Sequence, residues 1–187
     1  MSMMHQFLSQ TEATIVVTEG RGFSRLAETL GPVELGLTLS SYYGHVGGIV
    51  EKNGGRIVKF IGDGMLAAFI GADHRGRALA ACAEMERHRD GWLADAAKVK
   101  LPPLDYVIAA ASGEVLVGEL GTDRLRFWDV IGAPVNLAFR LAALAVTRGA
   151  SHLLASDTVE KATTKPAVVE VDPAEVKGVR HRLFRVG

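Results

Sequence analysis

The sequence has a single cysteine, Cys82, set in an apolar helical run. No disulfide can form within the chain, and a reducing compartment is expected. It has no surplus of charge: 21 Lys and Arg stand against 21 Asp and Glu, a formal net charge of +0. That balance gives no global bias toward nucleic acid or an anionic membrane. It has no apolar run near the length of a membrane span, so membrane insertion is not expected. The opening residues, MSMMHQFLSQTEA, lack the basic start and apolar core of a secretory leader, and a cytoplasmic protein is expected. The six histidines show no metal-ligand spacing with one another or with Cys82. There is no Gly-x-Ser-x-Gly elbow, no P-loop and no G-x-G-x-x-G run, and Gly20-Arg21-Gly22 is too short for a dinucleotide fingerprint. No repeat, low-complexity tract or linker divides the chain.

What is present is enough for one core: 187 residues, 48% of them hydrophobic. Residues 1–12 read as a short extension and 13–187 as a single domain. Ala13 to Val17, a short β-branched apolar run, predicts a buried strand. After Gly20 and Gly22 a helix start is expected. The next segment is helical in pattern from Pro32, with apolar residues at helical spacing and Gly54-Gly55 as its stop. Gly44, Gly47 and Gly48 inside it each cost about 1 kcal/mol relative to Ala, and close packing against another element or another chain would account for them. Arg56 to Phe69 predicts a hairpin turning at Asp63-Gly64. A helix follows with Asp73 at its N-cap and Leu79, Cys82 and Met85 on one face. Asp105 to Leu120 predicts a second hairpin turning near Ser112-Gly113. A strand up to Val130 and a helix from Pro134 come next, then three short strands, of which VRHRLFRV reads as an edge strand. The order suits an α+β domain with one mainly antiparallel, ferredoxin-like sheet and helices packed on it.

Several residues carry possible chemistry. Glu19 and Asp63 each sit at a strand end or hairpin tip flanked by glycine. If their strands are neighbours the carboxylates can face each other, and oxygen-only ligands at such a place suit Mg²⁺ or Mn²⁺ and substrate phosphates. Taken alone, an Asp in a Gly-Asp-Gly turn is more often only a turn residue. Asn136 and Arg140 lie four apart and share a helix face. The Arg could stabilise phosphoryl charge, while an exposed polar stripe is the plainer account of both. Lys59 lies inside an apolar strand and must reach solvent or a partner. Asp129 ends another such strand.

Together these pieces resemble the catalytic domain of the class III adenylate and guanylate cyclases, from about residue 13 to the C-terminus. GGRIVKFIGDGMLAAF is similar to that family's central hairpin and VIGAPVNLAFRLAALA to its later strand-turn-helix. ASGEVLVGELG and VKGV also match. The resemblance implies roles. Glu19 and Asp63 fall on the two metal-binding aspartates, which implies two Mg²⁺ or Mn²⁺ ions per site. Lys59 and Asp129 fall on the purine-selecting pair in its adenine combination, where guanylate cyclases tend to have Glu and Cys. Asn136 and Arg140 fall on the transition-state residues. Lys177 and, with a looser match, Arg124 fall on phosphate-binding positions, and Phe23 and Ser24 on the phosphate-facing turn. The implied reaction makes 3′,5′-cyclic AMP and pyrophosphate from ATP at the interface of a homodimer, each chain supplying half of each site. Control by a separate regulatory protein is one possibility among several. One departure is plain. Val17-Thr18-Glu19-Gly20-Arg21-Gly22-Phe23-Ser24 has Glu for the family's Asp and Gly for its next, bulky apolar residue. An active enzyme with an altered metal site and an impaired cyclase-like module that binds nucleotide or a partner are therefore the two readings.

Overall fold

The structure, a computed structural model, describes residues 8–187. Residues 1–7 of the expected extension lie outside the described residues, and from Leu8 onward the chain is already strand. The first strand, β1 (Leu8–Gly20), leads to a short helix α1 (Phe23–Thr29) and a long one, α2 (Pro32–Lys52). The hairpin β2 (Arg56–Ile61) and β3 (Gly64–Ile70) precedes α3 (His74–Lys98). Then come β4 (Tyr106–Gly121), β5 (Arg126–Ile131), α4 (Ala133–Arg148) and β6 (His152–Ala155). A short α5 (Ser156–Glu160) and the hairpin β7 (Val168–Val176) and β8 (Val179–Val186) finish the fold.

The eight strands form one sheet in the order β2-β3-β1-β4-β6-β8-β7, with β5 also paired to β4. Pairing is antiparallel except between β4 and β6. Strand residues alternate between two apolar layers, as a pleated strand requires. Val16, Ala67, Phe69, Ile108 and Leu154 pack with α2 and α3 on one face. Ile15, Val17, Ala68, Ala109 and Leu153 pack with α4 on the other. Covering both faces is why β1 reads as a continuous apolar run rather than an alternating one. The α4 layer meets the sheet at small residues, Ala109 and Ala111 from β4 against Ala138, Leu141, Ala142 and Ala145.

Three expectations need correction. Ser112-Gly113 is not a turn: β4 runs straight through it, with Gly113 opposite Ala13 of β1. Gly113 serves close packing instead, because a Cβ there would lie 3.1 Å from the Pro134 ring. The first hairpin turns one residue earlier than expected, with Gly62-Asp63 as its loop and Ile61 paired to Gly64. Gly62 takes the positive φ of 57°. Finally, β8 lies inside the sheet between β6 and β7, and β7 is the edge. Leu183 and Phe184 of β8 are buried on opposite faces, so the strand is more apolar in place than its arginines suggest.

Candidate active site

Glu19, the last residue but one of β1, pairs with Gly64, the first residue after the Gly62-Asp63 turn. The backbone N–H of Gly20 donates to the Asp63 carbonyl at 3.0 Å. The two carboxylates are close enough for the charge of Asp63 to act on Glu19. Two tyrosines of α2 hold their supports. Tyr42 is fully buried and shares a 2.6 Å hydrogen bond with Thr18, one residue before Glu19. Tyr43 stacks on Phe60 with ring centroids 4.0 Å apart and donates its hydroxyl to the Gly62 carbonyl in the turn. Partial burial raises the pKa of both acids, and the Asp63 charge raises Glu19 further. Among the described residues neither carboxylate has an ionic partner.

This donor set fits a hard divalent cation: two anionic oxygen donors, close, partly desolvated and uncompensated. No group of three or more His, Cys, Asp or Glu able to hold a metal occurs among the described residues. Water or substrate oxygens would have to complete any coordination shell. Phe23 is half-buried against the α2–α3 layer beside Leu26, and Ser24 is exposed at the start of α1.

The Lys59 Nζ donates to Asp129 Oδ2 at 2.5 Å, joining β2 to β5. A bulge between Ile57 and Lys59 makes this possible. Ile57 and Phe60, three residues apart, both pack on the α2–α3 layer, so the intervening pleat is broken and Lys59 is freed from it. The other carboxylate oxygen, Oδ1, accepts the Val130 N–H at 2.8 Å, which fixes the acid's orientation. Nearby, the Arg56 guanidinium lies 3.8 Å over the Trp128 ring and ties the same two strands. The pair is 40% and 23% exposed, so it is both ordered and reachable.

Asn136 and Arg140 lie on the first two turns of α4. The approach of α4 to the sheet is set by Gly132, where a Cβ would lie 2.9 Å from the Glu114 carbonyl and 3.0 Å from Val115. A side chain at 132 would lift the helix start off β4. A cleft of about 600 Å³ opens here, lined by Asn136, Arg140 and Lys177, together with Glu114, Ser112 and His181. Lys177 arrives from the two-residue β7–β8 turn, where it and Gly178 have φ of 51° and 75°. Among the described residues the side chains of Asn136, Arg140 and Lys177 have no hydrogen-bonding or ionic partner.

The structure thus gathers Asn136, Arg140 and Lys177 in one cleft and pairs Lys59 with Asp129. Glu19 and Asp63 do not line that cleft, and neither does Arg124, which is exposed in the β4–β5 loop. Tyr42 and Tyr43, which support the carboxylates, carry no signal in the sequence beyond the helical spacing of their segment. Neither His181 nor Glu114 was expected at the site. Alternation in HRLFRV was a usable signal for the first, since His181 shares a face with buried Leu183, which packs on the α4 layer.

Comparisons with known proteins agree with this fold. The family model of the adenylate and guanylate cyclase catalytic domain matches residues 6–185. The crystal structure of the guanylyl cyclase Cya2 superposes with a TM-score of 0.84 at 28% identity, over 95% of this chain and 92% of that one. The adenylyl cyclase CyaB from P. aeruginosa superposes with a TM-score of 0.77 at 25% identity, over 96% and 95%. An adenylate cyclase of Anabaena cylindrica is 27% identical over 154 residues, which is 81% of this chain and 31% of that protein. The uncharacterized protein Rv1319c of Mycobacterium tuberculosis is 29% identical over 157 residues, 81% of this chain and 28% of that protein. The chain therefore spans under a third of the length of these two relatives. With a family match across nearly its whole length, the chain belongs to the class III adenylate and guanylate cyclase catalytic domain family.

Proposed function

We propose that this domain is an adenylate cyclase, converting ATP to 3′,5′-cyclic AMP and pyrophosphate in a two-fold dimer of the chain. The observation that carries the choice of purine is the ordered Lys59–Asp129 pair. Lys59 can donate to adenine N1, and Asp129 can accept from the 6-amino group. Guanine offers a carbonyl where Asp129 needs a donor and an N–H where Lys59 needs an acceptor. A mismatch that strands desolvated polar groups discriminates strongly.

In the reaction the ribose 3′-oxygen attacks the α-phosphorus, the bond to the bridging oxygen of the β-phosphate breaks, and the 3′-hydroxyl proton leaves to solvent. Asn136 orients the ribose. Arg140 stabilises charge on the α-phosphoryl oxygens, and Lys177 holds the terminal phosphates, a role Arg124 shares from its loop. Phe23 and Ser24 shape the turn beside the phosphates. Glu19 and Asp63 would hold divalent metal, Mg²⁺ or Mn²⁺. Bound there, such ions lower the pKa of the 3′-hydroxyl and neutralise charge on the leaving pyrophosphate.

The test compares purines. Purified protein with Mn²⁺ or Mg²⁺ is expected to form cyclic AMP from ATP and little cyclic GMP from GTP, read by chromatography. K59E/D129C is expected to shift kcat/KM toward GTP by roughly 100-fold. Nucleotide binding without any cyclic product would support the impaired-module reading, which the Glu19-Gly20 departure favours.

A further inference from the structure

Gly20 follows Glu19 at the end of β1 and is buried. Its backbone does not require glycine, because its φ is not positive and its N–H keeps ordinary pairing to Asp63. The reason for glycine here is space. A Cβ on residue 20 would lie 3.0 Å from Asp63 Cβ, 3.1 Å from Asp63 Oδ2 and 3.0 Å from Leu104 Cδ1. The Asp63 side chain therefore lies over the α-carbon of Gly20, in the volume any other residue would fill. The Leu104 contact is with a terminal methyl, the more adjustable of the two although Leu104 is itself buried. Asp63 Cβ cannot yield, because it is fixed to a two-residue turn whose carbonyl is held by Gly20 itself.

We propose that Gly20 is a positioning residue for the carboxylate pair, and that Glu19 and Gly20 act as one device. Leaving out the side chain at 20 lets Asp63 lie back against β1. The extra methylene of Glu19 then restores the reach the two carboxylates need to grip one divalent cation together. A longer acid at 19 is matched to a retracted acid at 63, and the retraction is set by the glycine. A side chain at residue 20 pushes Asp63 outward, where Glu19 is too long, and a shorter acid at 19 leaves the retracted Asp63 without a counterpart.

This inference rests on the metal reading of Glu19 and Asp63, and the experiment separates the two. Mn²⁺ is titrated into the full chain saturated with α,β-methylene-ATP, which cannot be cyclised, and free ion is followed by electron paramagnetic resonance. Thermal unfolding of each variant checks the fold. D63A is expected to lose tight Mn²⁺ binding. G20A is expected to weaken it about tenfold or more, and G20A/L104A to stay as weak, because it relieves only the leucine contact. E19D alone is expected to weaken binding, and E19D/G20A to bind more tightly than either single variant, a non-additivity that only coupled residues give. Wild-type affinity in G20A, recovery in G20A/L104A, or losses in E19D and G20A that simply multiply would overturn the coupling. Wild-type affinity in D63A, or no Mn²⁺ binding by the parent protein, would overturn the metal reading and the coupling with it.

Discussion

The corner holding Glu19 and Asp63 and the cleft over α4 are opposites. The corner is anionic and braced by two tyrosines. Its acids are lifted above their ordinary pKa by burial, with Asp63 adding to the lift on Glu19. The cleft is wide, and its Arg140 and Lys177 have no counter-ion among the described residues. The corner offers paired carboxylates, and the cleft offers two cations beside a single acid, Glu114. Neither is complete by itself for phosphoryl transfer, which needs metal-bound and phosphate-binding groups on the same nucleotide. A chain with two unfinished, complementary halves is what a two-fold assembly can complete twice.

The sharpest way to break that comparison is complementation. D63A and R140A are each expected to lower kcat by at least about 100-fold. Co-refolding equal amounts should return roughly a quarter of the parent activity. Half of the dimers are mixed, and each mixed dimer has one intact site of two. No recovery, measured by cyclic AMP formation, would place both halves of a site within one chain and undo the contrast.

The corner makes a smaller prediction, in stability. Raised pKa values mean that the folded state disfavours the two charges. The acids therefore weaken the fold progressively as pH rises from their unfolded pKa through the raised folded one, and the cost disappears as pH falls below the unfolded value. D63N is expected to raise the metal-free unfolding midpoint at neutral pH, because burial disfavours the charge it removes. The same change should remove the stabilisation that Mn²⁺ gives the parent protein. Calorimetry with and without Mn²⁺ measures both. A lower midpoint in metal-free D63N would mean that Asp63 is already compensated within the chain.

The two regions also differ in how far the sequence revealed them. Local pattern placed Glu19 at a strand end and Asp63 at a hairpin tip, while their proximity hung on β1 lying beside the hairpin, as it does. Asn136 and Arg140 were readable as sharing a face from helical spacing alone. The long β4 was not, because Ser112-Gly113 between apolar runs carries the same cue as a hairpin. What decides the matter is pairing with distant β1, where Ser112 and Gly113 lie opposite Thr14 and Ala13. Likewise, nothing local says that VRHRLFRV is interior: its place depends on β6 and β7 flanking it. Gly20 shows the same limit at the site. In the sequence it is only a departure from the family's bulky apolar residue, and the position of Asp63 makes it a matter of volume.

The smallest prediction concerns the glycines of α2, which bear on how the halves meet. Gly47 is accounted for within the chain, since a Cβ there would lie 2.9 Å from Ile57 Cδ1. Gly44 and Gly48 are not: a Cβ at either meets nothing within 4 Å. They lie one helical turn apart, so they share a face. In an isolated chain Gly→Ala at such helix positions stabilises by about 0.4–1 kcal/mol, chiefly by narrowing the unfolded ensemble. G44A and G48A should therefore raise the unfolding midpoint of the monomer, measured at a concentration low enough to dissociate dimers. If that face packs closely on a second chain, the same alanines should raise the dimer dissociation constant, by sedimentation, and cut specific activity in proportion to the dimer lost. Stabilisation with dimerisation unchanged would place the meeting of corner and cleft on another face of the domain.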